Sequence, residues 1–111
     1  MTSDIAEPEL IAMVQRITRS RKTISRSAAI YQDLGIAGDD AYELFGMISA
    51  RFGTSFQGFD WPSYFPNETE GLFFYWAAKM GLRDKKRRTL TVGHLLAVIE
   101  RGTWFEATPS N

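Results

Sequence analysis

The sequence contains no cysteine, which excludes disulfides, thiol catalysis and thiolate metal sites. It has a single histidine, His94, and no Ser–His–Asp set, glycine-rich phosphate loop or cluster of metal-ligand residues is visible around it. Net charge is also lacking, with 13 basic and 13 acidic residues, so global charge points neither toward nor away from a nucleic-acid partner. The longest strongly apolar run, "LFFYWAA" from Leu72, is far too short to span a bilayer. The start, "MTSDIAEPEL", has neither a basic region nor an apolar one, so it does not read as a secretory signal. A cytoplasmic protein with no membrane span is the expectation.

What is present is a chain of 111 residues, 44% hydrophobic and 14% aromatic, enough for one domain over residues 1–111 with its core between about residues 7 and 104. Apolar periodicity divides it into helices. The first is predicted from about Glu7 to Arg19, with Pro8 in the first turn and Leu10, Val14 and Ile17 on the apolar stripe. "RSRKTISRS", which follows, reads as an exposed connection. The second helix is predicted from Asp39 to Phe52, burying Ala41, Leu44, Phe45, Ile48 and Phe52 and stopping at Gly53. A third is expected from about Glu68 to Met80, apolar nearly all round, and a fourth from Val92 to about Arg101, capped by Thr91 and ended by Gly102. Between the second and third, "TSFQGFDWPSYFP" has the aromatic residues to pin a loop onto the core. A short strand near Thr54–Phe56 and a helical turn near Asp60–Tyr64 are both open there. The expected fold is all-α, a four-helix bundle with this aromatic-rich loop between helices two and three.

The stretch "DLGIAGDDAYELF", Asp33 to Phe45, resembles the prosthetic-group region of acyl and peptidyl carrier proteins. Those carriers have Asp-Leu-Gly, two residues, a serine, then a helix opening with an acid followed by Glu-Leu. Asp33-Leu34-Gly35 match, Asp40 falls at the acid, and Glu43-Leu44 match without a gap. "LTVGHLLAVIERGTW" is similar to the last carrier helix. A closer resemblance is to a bacterial family of carrier-like proteins of uncharacterised function, which looks to share the Gly-Asp-Asp opening, "YFPNE" and the C-terminal "TVGHLLAVIERGTW". The resemblance runs from about Leu10 to Trp104 and implies an acyl-carrier-like bundle.

Gly38 stands where a carrier has the serine that accepts phosphopantetheine. Glycine has no hydroxyl, so phosphopantetheine is not expected. No other serine fits the pattern: Ser25 and Ser27 have arginine-rich and apolar flanks, Ser49 lies within a helix, and Ser55 and Ser63 precede no acidic helix. The resemblance implies that Gly38, Asp39, Asp40 and Glu43 form an acidic surface for another protein, for example an enzyme of lipid or secondary metabolism. The residues alone also allow Gly38 to be a plain turn residue and the acids to be ones that suit a helix start. Asp39 and Asp40 face different sides of a helix and make a poor acid–base dyad, so an enzyme is not expected. Two other readings are a functional carrier modified in an unrecognised way and a small nucleic-acid-binding protein. The latter would use Arg83, Lys85, Lys86, Arg87 and Arg88 as a polyanion site. The absence of a helix-turn-helix motif, and of aromatics interleaved with that run, argues against it.

Overall fold

The computed structural model describes residues 2–65 and 88–106. Four helices lie in these residues: α1 (Thr2–Thr18), α2 (Asp39–Phe52), the single turn α3 (Trp61–Tyr64) and α4 (Val92–Arg101). No strand accompanies them among the described residues; extended backbone meets only in isolated bridges, Ala29 with Thr91 and Ser55 with Thr103. The architecture is mostly helical and compatible with an all-α fold. No described helix is long and apolar enough to cross a membrane. The helix expected at Glu68–Met80 and the basic positions Arg83 to Arg87 lie outside the described residues.

α2 and α4 have the bounds their patterns predict. α2 buries Ala41, Leu44, Phe45 and Ile48, with Phe52 half-buried at its end. Gly53 closes it in the left-handed conformation, φ +72°, and gives its N–H to the Ser49 carbonyl. α4 starts with the Thr91 hydroxyl accepting the His94 N–H at 3.1 Å and stops at Gly102, φ +89°.

α1 corrects the sequence reading. It begins at Thr2, so Pro8 sits inside the helix and not in its first turn. The earlier start adds Ala6 to the buried row Ala6, Leu10, Val14 at four-residue spacing. Pro8 lies on the exposed side, where water can serve the carbonyl that loses its N–H donor. The helix closes at Arg19, a non-glycine residue with φ +56°, while Ser20 donates its N–H to the Gln15 carbonyl at 3.1 Å.

α1 packs against both α2 and α4. One cluster of buried side chains joins the three helices to the connecting segments, through Leu10, Leu44, Ile48, Leu95, Ile30 and Ile36 among others. Ion pairs fasten the rim. Arg51 of α2 reaches Glu9 of α1 at 2.9 Å, and Arg26 grips Glu7 through two nitrogens. The Arg26 hydrogen bond holds the Glu7 carboxyl below the usual carboxylate range.

The aromatic loop is core. Phe59, Tyr64 and Phe65 are buried, and Phe56 and Trp61 are half-buried. Phe45 of α2 is their centre, with ring centroids at 4.3 Å to Phe56 and 4.9 Å to both Phe59 and Trp61. Of the two local structures left open for this loop, the turn forms at Trp61–Tyr64 and the extended residue is Ser55, in a single bridge.

Candidate functional site

The loop that enters α2 is held from behind. Residues 28–30 run beside residues 90–92, with Ile30 donating its N–H to Leu90 at 2.7 Å and Val92 to Ala28 at 3.0 Å. Asp33 turns its carboxylate back to accept the Ala29 N–H at 2.8 Å. Gly35 follows with φ +70°, and Ile36, fully buried, donates its N–H to the Ile30 carbonyl at 3.0 Å. These bonds fix where Gly38 and the helix start can lie.

Gly38 has φ +58° and ψ −132°. In that region an L side chain is pressed against its own backbone, so glycine is the residue that adopts it without strain. A Cβ built there would meet no atom within 4 Å, so the restriction comes from the backbone and not from lack of room. An N-cap serine normally has extended backbone and accepts an N–H with its hydroxyl. Gly38 has neither feature; only its carbonyl engages the helix, accepting from Ala41 at 3.0 Å and Tyr42 at 3.1 Å.

Asp39, Asp40 and Glu43 are all exposed, and none makes an ion pair with a described residue. The first two sit in the opening turn, where carboxylates suit the positive end of the helix dipole. The structure therefore brings the four residues singled out in the sequence to one helix start.

Two further residues on this face were not singled out. Tyr42 is 59% exposed, and its ring lies 4.3 Å from that of Trp61. The available signal was an aromatic residue outside the apolar stripe of α2. Gly46, one turn on, is exposed and has nothing within 4 Å of where its Cβ would be. Mid-helix glycine is less favourable than alanine by about 1 kcal/mol, yet no contact in the described chain calls for it.

Residues 3–106 match the model of a family described as protein of unknown function, DUF1493. The chain belongs to the DUF1493 family. No curated protein and no solved structure matches it.

Two other candidates in this DUF1493 chain lie among the described residues, His94 and Arg88, and both are engaged in structural contacts. His94 is half-buried, its Nε2 is 2.8 Å from the Phe105 carbonyl, and its ring meets those of Trp104 and Phe105 edge-on. Arg88 is the one described member of the basic run. It pairs with Glu106 at 2.8 Å, lies over the Tyr64 ring and donates its backbone N–H to the Ser63 carbonyl.

Proposed function

We propose that this DUF1493 chain is a non-catalytic, acyl-carrier-like binding module. It docks on another protein through Gly38, Asp39, Asp40 and Glu43, and it has no phosphopantetheine arm. The observation that carries the reading is the Gly38 backbone. The carrier-like order of Asp33-Leu34-Gly35, an acid and Glu43-Leu44 is kept around a residue whose φ and ψ suit glycine and strain serine. Exposed carboxylates next to it, without ion partners among the described residues, support docking, because a local negative field steers a basic surface into place. On this reading the expected helix at Glu68–Met80 completes a carrier-like four-helix bundle. The partner is then an enzyme of a pathway that handles carrier-bound acyl groups, such as lipid or secondary metabolism.

The test has two arms. Incubation with coenzyme A and a broad-specificity phosphopantetheinyl transferase should leave the intact mass unchanged; an added arm contradicts the reading. Pulldown from the native lysate should then lose its specific partner when Asp40→Lys and Glu43→Lys are combined, with circular dichroism unchanged. Recovery of the same proteins by the folded double variant removes the acidic helix start as the docking surface.

A further inference from the structure

Tyr42 and Trp61 form an aromatic shelf at the edge of the acidic helix start. The Tyr42 ring is largely exposed and rests on Trp61. Trp61 is seated in turn against Phe45 and Phe59, both buried, at 4.9 Å each. The shelf is thus fixed from the core outward. Four exposed carboxylates neighbour it in the chain: Asp39 one turn before Tyr42, Asp40, Glu43 beside Tyr42, and Asp60 beside Trp61. Asp60 accepts the Ser63 hydroxyl, and none of the four has an ion partner among the described residues.

Gly46 lies one turn beyond Tyr42 on the same helix. It has no left-handed φ and no neighbour within 4 Å of its Cβ position. Neither conformation nor packing within the described chain explains a glycine there. Glycine in the middle of an element also lets another backbone come close, and only that property is left unused.

We infer that this face of α2 receives an arginine-bearing segment of a partner protein. A guanidinium of that segment lies on the Tyr42–Trp61 shelf, and its backbone crosses α2 at Gly46. The inference rests on the docking reading above and names what the partner presents. The exposed carboxylates, without ion partners among the described residues, favour a cationic partner, and the shelf selects which cation. Guanidinium is planar and weakly hydrated, so it stacks on an aromatic face while its edge donates to carboxylates. An ammonium is more strongly hydrated and gains mostly from the acids.

The probes are three synthetic peptides with the same alanine-rich framework, carrying arginine, lysine or the uncharged isostere citrulline. They are titrated at low salt into the full chain, followed by amide and indole N–H shifts. The arginine peptide should shift Tyr42, Gly46 and the Trp61 indole, and bind about two- to fivefold tighter than the lysine peptide. Citrulline should not bind. Tyr42→Ser should remove the preference for arginine and leave lysine binding nearly unchanged. Gly46→Leu should weaken both peptides. Tyr42 and Gly46 are exposed, so these variants keep the fold, and circular dichroism checks that.

Equal binding of arginine and lysine, lost on charge reversal at Asp40 and Glu43 but untouched by Tyr42→Ser, overturns the inference and leaves the docking reading standing. Absence of any shift at α2 overturns both. The chain carries its own exposed cations at Arg16, Arg19, Arg21 and Lys22. Salt-sensitive self-association that buries Tyr42 against these cations at the end of α1 and just beyond it overturns the inference in favour of a second copy as the occupant.

Discussion

Tyr64, fully buried, donates its phenolic O–H to Glu106 across 42 positions of the chain, at 2.5 Å. The same carboxylate oxygen takes the Arg88 guanidinium at 2.8 Å, and its other oxygen faces the Trp104 indole N–H at 3.4 Å. One half-exposed acid thus ties the α3 turn to the segment before α4 and to the segment after it.

Burial pushes the Tyr64 phenol up from 10.0 to about 12, with the Glu106 hydrogen bond and charge adding to the rise. Between these two values the unfolded chain has released the proton that the folded chain still holds. The contribution is therefore fully present below the unfolded value and is lost as pH rises toward the folded one. In chemical denaturation at stepped pH, wild type should lose on the order of 2 kcal/mol more than Tyr64→Phe over that alkaline interval. Parallel curves for the two proteins would show that the phenol does not titrate in this way. At neutral pH the substitution should cost about 1.5–3 kcal/mol, the worth of a hydrogen bond to a charged group.

Two glycines of one helix should respond in opposite directions to alanine. Gly38→Ala places a Cβ on a backbone that only glycine adopts without strain, and should destabilise by about 1–3 kcal/mol. Gly46→Ala fills open space on an ordinary helical residue and should stabilise by about 1 kcal/mol. Urea denaturation of both variants decides the matter; opposite signs are the expected pattern, and destabilisation at both positions contradicts it. Gly38→Ser should behave like Gly38→Ala and should remain a poor substrate for a phosphopantetheinyl transferase.

Phe45 touches four other aromatic rings and is the keystone of the loop packing. Phe45→Ala should cost about 3–5 kcal/mol. It should also weaken the near-ultraviolet dichroism of the cluster, because Phe56, Phe59, Trp61 and Phe65 lose their common contact. Retention of that signal in a folded variant would mean that the loop is held by other contacts.

The basic run should not act as a nucleic-acid site. Arg88, its described member, is already paired with Glu106. Binding to random duplex should be no tighter than roughly micromolar at physiological salt and should fall steeply as salt rises, the behaviour of non-specific charge contacts. Sequence-dependent, sub-micromolar binding in a mobility-shift assay would reverse this conclusion.

The residues by themselves determined α2 and α4. Their apolar rows repeat at helical spacing, and the residues that start and stop them, Gly38, Gly53, Thr91 and Gly102, act within one turn of their own position. The start of α1 was not determined in this way. Pro8 is a strong local marker of a first turn, and burying Ala6 against the rest of the core outweighs it. Composition also showed that the loop between Thr54 and Phe65 was aromatic, but not which rings were core. Only the tertiary structure decided that Phe59, Tyr64 and Phe65 go inside while Tyr42 rests outside on Trp61. The glycine-only backbone of Gly38 was likewise decided by the anchoring of Asp33 and Ile36 behind it. Capping and periodicity are contacts between near neighbours and are written locally. Ring packing, ion pairs such as Arg88–Glu106 and the exposure of a face depend on residues far apart in the chain, and these exist only once the chain has closed around its core.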